Sequence, residues 1–104
     1  MFARVTTYSG TPEKIERALE TYREQVLPWV SDATGFRGLV VLLDRDREEG
    51  IALTFWADEA SLRDNVASGA ALRDEIAEAA ETPIVEVRSY EVIAADELAL
   101  DESS

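Results

Sequence analysis

The feature that most constrains the fold is an apolar segment, Phe36–Leu43, which is followed by a charged turn and a second apolar segment, Ile51–Trp56. Both segments are short and rich in β-branched, aromatic or aliphatic residues, which is typical of a β-hairpin. Phe36–Leu43 is apolar at both even and odd positions, so both faces of this strand need cover. A sheet that left one of these faces exposed is disfavoured, because large exposed apolar patches are uncommon. We therefore expect helices on one face and a second copy of the chain on the other.

Strand and helix patterns alternate on either side of the hairpin. Phe2–Ser9 is β-branched and aromatic, and it indicates a first strand. Thr11 and Pro12 then provide the N-cap and the first residue of a helix. Pro28 is expected to end or kink that helix near its preceding residue, because proline has no amide hydrogen. The apolar positions of this helix recur every three or four residues and are Ile15, Leu19, Tyr22, Val26 and Val30.

The second half of the chain repeats the helix-then-strand pattern. Asp58 is the predicted N-cap of a second helix, which we expect to break at Gly69 and to end at Thr82–Pro83. Ile84–Ile93 forms the predicted last strand. The order is therefore β-α-β-β-α-β, which predicts an α+β, ferredoxin-like domain with a four-stranded antiparallel sheet and two helices on one face.

Length and charge set the class of protein. A chain of 104 residues corresponds to one domain, predicted over residues 1–94, with an acidic tail at 95–104. The net charge of −12 disfavours binding to nucleic acid or to an anionic membrane, since both require clustered Lys and Arg. No segment has the length and hydrophobicity of a membrane span or the pattern of a signal peptide, so we predict a cytoplasmic protein.

The sequence contains no His and no Cys. This excludes His-based catalytic triads, thiol nucleophiles, Cys/His zinc sites and haem ligation by either residue. The acidic turn Asp44–Gly50 does not match a calcium-binding loop, because its glycine falls at position seven and position twelve is Phe55. We accordingly predict no metal site.

The element order and two sequence motifs resemble the antibiotic biosynthesis monooxygenase family, a branch of the dimeric α/β-barrel superfamily. The motifs are Gly35–Gly38, at the entry to the second strand, and Thr54–Leu62, where a strand ends in Trp56 and a capped helix follows. The resemblance covers residues 2–93. It implies a homodimer whose sheets face each other as a dimeric α/β barrel, with a pocket between sheet and helices in each subunit.

Comparison with the haem-degrading branch of that family argues against this activity. Those members carry a pocket Trp where this chain has Asn65 and an iron-ligating His where it has Glu75. They also carry an Asn on the first strand, where this chain offers only Thr6 or Thr7. The resemblance therefore does not extend to haem degradation.

The quinone-forming branch of the family oxidises polyketide anthrones with dioxygen and without a cofactor. Trp56 matches the strand-three Trp of that branch, whereas the Asn four residues earlier is Ala52 here. Trp56 is thus the first candidate for a substrate-binding residue, because its ring could stack on an aromatic ligand and its indole N–H could donate to a carbonyl oxygen. Its alternative role is packing at the end of a strand.

Other aromatic and charged residues complete the set of candidate substrate-binding residues. Five aromatic side chains could line the same cavity or simply pack: Tyr8, Tyr22, Trp29, Phe36 and Phe55. Arg4 shares its parity with Tyr8 on the first strand, and Glu86 and Arg88 share theirs with Tyr90 on the last. We expect one polar cluster that could bind an enolate or a carboxylate; the alternatives are a solvated face or an inter-subunit ion pair.

Three functions remain open from the sequence. The first is a cofactor-independent monooxygenase that acts on an aromatic or polyketide-like small molecule, although no evident base is present. The second is a non-catalytic dimer that binds or senses a small molecule. The third is a dimer that engages another protein. Fold alone does not choose among them.

Overall fold

The computed structural model describes residues 1–25 and 27–96, with the side chains of all of these except 66–72. The helices and strands, in chain order, are β1 (Phe2–Ser9), α1 (Pro12–Gln25), α2 (Leu27–Val30), β2 (Phe36–Asp44), β3 (Glu49–Trp56), α3 (Glu59–Asp64), α4 (Val66–Ala79) and β4 (Ile84–Glu91). The predicted β-α-β-β-α-β order is confirmed, with each predicted helix divided into two pieces. Val26 and the tail beyond residue 96 lie outside the described residues.

The four strands form one antiparallel sheet in the order β2-β3-β1-β4. β1 is central, and its Arg4 lies opposite Thr54 on β3 and Ser89 on β4. The pairing of β1 with β4 shifts register between Thr7 and Tyr8. This arrangement confirms the α+β, ferredoxin-like fold class.

The hairpin between β2 and β3 is tighter than predicted. Asp44 pairs with Glu49, so the strands continue into the segment expected to be a turn. The Asp44 carboxylate accepts the backbone N–H groups of Asp46 at 3.1 Å and of Arg47 at 3.0 Å. These bonds satisfy turn donors locally, which explains the acidic residue at the first position of the turn.

The second predicted helix breaks at Asn65, and the predicted break at Gly69 is wrong. The Asn65 side chain donates to the Ser61 carbonyl at 2.8 Å, and its backbone N–H donates to Leu62 O at 3.3 Å. These bonds close α3 before α4 begins. Gly69 continues within α4, since an interior glycine costs a helix only about 1 kcal/mol. The predicted N-cap is confirmed, as Asp58 accepts the Ser61 N–H at 2.8 Å.

The other two boundaries differ slightly from prediction. α1 ends at Gln25, and Pro28 lies in the first turn of the short helix α2, where a missing amide hydrogen is tolerated. β4 ends at Glu91 rather than Ile93, and the next amide, that of Val92, donates to Met1 O at 2.8 Å.

The core lies between the sheet and the helices. One buried cluster surrounds Trp56 and comprises Ala18, Tyr22, Val30, Trp56, Leu62, Ile76 and Ala80. The second surrounds Ile15 and comprises Tyr8, Ile15, Leu19, Ala52 and Ala77. Within the described part of the chain, no helix has the length and hydrophobicity required to cross a bilayer.

Candidate functional site

The strand register gives the sheet two chemically different faces. The helix-side face carries Arg4, Thr6, Tyr8, Ala52, Thr54 and Trp56, of which all but Arg4 are buried. The open face carries the alternate positions, which include Val5, Gly38, Val40, Leu42, Ile51, Leu53, Phe55, Glu86, Arg88 and Tyr90. A ligand between sheet and helices would therefore meet the first set and not the second.

The helices do not cover the helix-side face at the edge strand β4. Val87, Ser89 and Glu91 lie on that face by their pairing with β1, yet all three are exposed. A cavity of about 410 Å³, here called the β4 groove, opens there. Its lining comes from β1, α3 and β4 and consists of Phe2, Arg4, Glu59, Leu62, Arg63, Ser89, Tyr90 and Glu91. A cavity of this volume is in the range of small-molecule sites.

Arg4 joins the β4 groove to a group of charged and phenolic side chains beneath the helices, here called the arginine–tyrosine cluster. The cluster comprises Arg4 on β1, Tyr8 on β1, Tyr22 on α1 and Arg73 on α4. Burial, and then the nearby charge of Arg73, lower the pKa of Arg4. Two cations are thus held near each other in a partly dehydrated environment, where like charges repel more strongly than in water.

The two phenols of this cluster are protonated donors at neutral pH. Burial, followed by the neighbouring Tyr22, raises the pKa of Tyr8. Burial also raises the pKa of Tyr22, and the positive charges of Arg73 and Arg4 oppose that rise only in part. Both hydroxyl groups can therefore donate hydrogen bonds to an acceptor, and neither is suited to act as a base.

The cluster contains donors without acceptors. The Nε atoms of Arg4 and Arg73 are both buried, and neither has a hydrogen-bond partner. Among the described residues, every ion pair within 4.0 Å involves other side chains than these two. Buried polar groups are nearly always hydrogen-bonded, so two orphaned guanidinium donors in one cluster are unusual. The arrangement is chemically suited to hold an anionic oxygen group.

Trp56 lies in this layer, but its polar group is already used. Its indole N–H donates to the Thr54 hydroxyl at 3.0 Å, and the side chain is 4% exposed. Phe36 packs edge-on against it, with ring centroids 5.4 Å apart and an interplanar angle of 72°. Trp56 therefore forms part of the wall of the core, and its N–H is bonded within the protein.

The remaining candidate residues do not all converge. Trp29 on α2 is 43% exposed and belongs to neither core cluster. Phe55 and Arg88 lie on the open face, as does Tyr90, whose edge position also brings it to the rim of the β4 groove.

The predicted single cluster of Arg4 with the polar residues of β4 does not form. Arg4 pairs with Ser89 while Arg88 pairs with Val5, so the two arginines lie on opposite faces of the sheet. Arg88 instead contacts Glu86 on the open face at 2.8 Å. Tyr90 and Glu86 together raise the pKa of Arg88.

Sequence reasoning missed Arg73. The residue lies three and four positions before Ile76 and Ala77, which are both buried, and therefore on the inward stripe of α4. A charged residue on an otherwise apolar stripe was the signal that could have identified it, since Arg is rarely buried without a partner.

Comparisons with known proteins bear on this site only through the fold. The sequence profile of the antibiotic biosynthesis monooxygenase family matches residues 1–73. No curated protein sequence matches the chain.

Solved structures give the same architecture. A monooxygenase from Streptomyces coelicolor, in complex with nanaomycin D, is 21% identical with a TM-score of 0.67, over 90% of this chain and 88% of that one. SnoaB, a cofactor-independent oxygenase from Streptomyces nogalater, is 17% identical, with a TM-score of 0.63 over 92% of this chain and 94% of that one. Rv0793 from Mycobacterium tuberculosis is 15% identical, with a TM-score of 0.67 over 92% and 98%. From its sequence match and its fold, the chain belongs to the antibiotic biosynthesis monooxygenase family.

Proposed function

We propose that this protein is a cofactor-independent monooxygenase that acts on an aromatic, polyketide-like small molecule bound between the sheet and the helices. The observation that carries the proposal is the arginine–tyrosine cluster, whose member Arg4 also lines the β4 groove. Tyr22 belongs both to this cluster and to the buried aromatic and aliphatic cluster around Trp56. Such a site would hold an electron-rich phenol or anthrone by its oxygen atoms.

The chemistry requires little from the protein beyond binding and charge stabilisation. In the oxidation of an anthrone, the ring CH₂ becomes a carbonyl, one atom of dioxygen enters the product and the other leaves as water. The substrate supplies the electrons. The guanidinium groups of Arg4 and Arg73 would favour the deprotonated substrate, since positive charge lowers the pKa of a nearby acid.

Oxygen consumption tests this function. We expect the protein, without added cofactor and with a metal chelator present, to consume oxygen with 1,8-dihydroxyanthrone in a 1:1 ratio to the quinone formed, faster than autoxidation. Arg4→Met should slow the reaction, whereas Arg47→Met should not. Arg47 is an exposed hairpin residue that carries the same charge. An oxidation rate equal to autoxidation would contradict catalysis.

A non-catalytic binding protein is the second candidate. The observation that favours it is the protonated state of Tyr8 and Tyr22, which leaves the cluster without a base at neutral pH. In that case the same anthrone would raise the melting temperature by binding the native state, while oxygen uptake would remain at the autoxidation rate.

We also propose that the protein acts as a homodimer through the open face. Support comes from its apolar residues on three adjacent strands, including Leu42, which is 50% exposed in the single chain. The ion pair of Glu86 and Arg88 lies beside this apolar centre. In a dimer with two-fold symmetry, both copies would contribute the same apolar surface and the same ion pair to the interface. Sedimentation should give a species of twice 11.5 kDa at micromolar concentration.

The overall charge of the protein limits its possible partners. The net charge of −12 favours neither nucleic acid nor an anionic membrane as a partner. A small molecule and a second copy of the chain are then the expected partners, in a cytoplasmic protein.

A further inference from the structure

The arginine–tyrosine cluster contains more positive charge than the protein itself neutralises. Arg4 and Arg73 come from different layers, the sheet and α4, and each has a buried Nε without a partner. The chain has 22 acidic residues, so acidic side chains are abundant. Among the described residues, however, no carboxylate lies within 4.0 Å of either arginine. An arrangement that costs stability in the free protein is typical of a binding site.

From this arrangement we propose that the ligand of the β4 groove is an aromatic carboxylic acid, whose carboxylate binds between Arg4 and Arg73. The inference rests on the proposed function, which it deepens by naming the class of ligand. A carboxylate matches the two orphaned donors because it offers two acceptor oxygens to the two guanidinium groups.

Tyr22 supports the same assignment. Burial raises the pKa of Tyr22, and the charges of Arg73 and Arg4 oppose that rise, so its phenol lies near both arginines. Because burial keeps this phenol protonated, its hydroxyl donates a third hydrogen bond to an anion held between them. Three donors, from the sheet, from α1 and from α4, then surround one acceptor group.

The net charge of the whole protein further limits the chemical class of the ligand. A net charge of −12 repels anions at long range, and the penalty grows with the charge of the ligand. Phosphate esters with two negative charges are disfavoured relative to a carboxylate with one. The groove also contains Glu59, Arg63 and Glu91. Arg63 is paired with Glu59 at 2.7 Å, which leaves the charge of Glu91 to repel a second negative group on the ligand outside the cluster. The rest of the ligand is therefore uncharged and aromatic.

We expect the two arginines to affect the stability of the free protein as well as the binding of the carboxylate. Without ligand, Arg4 and Arg73 repel each other, so Arg73→Met should raise the melting temperature of the free protein while weakening binding. A merely structural arginine would give the opposite sign, because its removal would lower the melting temperature. A higher melting temperature together with weaker binding therefore indicates a binding role, whereas a lower melting temperature indicates a packing role.

The test uses two ligands matched in shape, anthraquinone-2-carboxylate and anthraquinone-2-carboxamide, titrated calorimetrically into the full chain. We expect the acid to bind about tenfold more tightly than the amide, as for a hydrogen-bonded charge that is partly buried. Arg4→Met and Arg73→Met should each abolish the preference. Arg47→Met, which removes the same charge from an exposed hairpin, should retain it.

Each outcome bears on the inference separately from the proposed function. Equal affinity for acid and amide, or a preference that survives in both cluster variants, overturns the carboxylate assignment and leaves a pocket for neutral aromatics. Binding of neither ligand also overturns it. In both cases oxygen consumption with 1,8-dihydroxyanthrone, a substrate without a carboxylate, decides the proposed oxygenase function independently.

Discussion

Arg4 on β1 and Arg73 on α4 lie near each other, and burial, followed by the charge of Arg73, lowers the pKa of Arg4. Their repulsion is measurable without any ligand. We expect Arg4→Met and Arg73→Met each to raise the free energy of unfolding, and the double variant to gain less than the sum by about 0.5–1 kcal/mol. Urea unfolding of the four proteins gives this coupling. Additive effects, or destabilisation by either single variant, would contradict a repulsive pair.

Alkaline pH tests the burial of the two phenols. Burial raises the pKa of both Tyr8 and Tyr22 in the folded state. Their contribution to stability is complete below the unfolded value of about 10. Above it the unfolded chain loses these protons before the folded protein does, so stability falls by up to about 1.4 kcal/mol per pH unit for each tyrosine.

The measurement is urea unfolding between about pH 8 and pH 11, a window that brackets the unfolded value, with phenylalanine variants. Tyr8→Phe and Tyr22→Phe should each flatten the alkaline decline. A decline of the same slope in the wild type and in both variants would show that neither phenol is protected from ionisation.

The two faces of β2 predict opposite consequences for neighbouring substitutions. Val41 packs against the buried cluster around Ile15, whereas Val40 lies on the open face. Val41→Asp should destabilise the subunit by about 2 kcal/mol, because it places a carboxylate against the buried cluster around Ile15. Val40→Asp should instead dissociate the dimer and leave the fold intact. Sedimentation and circular dichroism distinguish these results, and a Val40→Asp protein that remains dimeric would contradict the proposed interface.

The C-terminus of α4 offers a stabilising substitution. Glu81 adopts a left-handed conformation with φ of 58°, while the next residue, Thr82, donates its N–H to Ala77 O at 2.8 Å. This position favours glycine, so Glu81→Gly should raise the free energy of unfolding by about 1 kcal/mol. The exposed ion pair with Lys14 that it removes, at 3.5 Å, contributes less than that.

A matched control lies one turn earlier in the same helix. Glu78 is exposed and helical, so Glu78→Gly should lower stability by about 0.5–1 kcal/mol. If both glycine variants are destabilised to a similar extent, the left-handed conformation at Glu81 is not strained.

Close packing of α1 on the sheet makes Gly50 necessary. A Cβ at this position would lie 2.4 Å from Ile15 Cγ2. Gly50→Ala should cost about 2 kcal/mol by overpacking, and it should cost less in an Ile15→Ala background, which removes the Cγ2 atom. Equal losses in thermal unfolding would contradict this account of how α1 sits on β3.

The predictable parts of the fold are those that depend on local periodicity. The predicted bounds of β1 match the observed ones, because alternation and β-branched residues are properties of the segment itself. The break at Asn65 was missed, since it depends on hydrogen bonds made by its own side chain and backbone rather than on a glycine. Boundaries set by such contacts are not visible in a hydrophobic pattern.

The candidate site was less predictable than the fold. Arg4 and Arg88 share a face only if the strand register allows it, and the observed register places them on opposite faces. Sequence parity does not fix register between strands at opposite ends of the chain, as β1 and β4 are. Arg73 was overlooked because a charged helical residue is normally on the surface.

Nuclear magnetic resonance of the arginine Nε–H groups reports directly on the proposed carboxylate site, because the Nε–H groups of Arg4 and Arg73 are the donors that lack a partner in the free protein. On addition of anthraquinone-2-carboxylate, we expect the Nε–H signals of Arg4 and Arg73 to shift strongly, because each gains its missing hydrogen-bond acceptor. The signal of Arg47 should remain in place. Shifts confined to the open face, around Val40 and Arg88, would show that the ligand binds elsewhere and would contradict a site between the sheet and the helices.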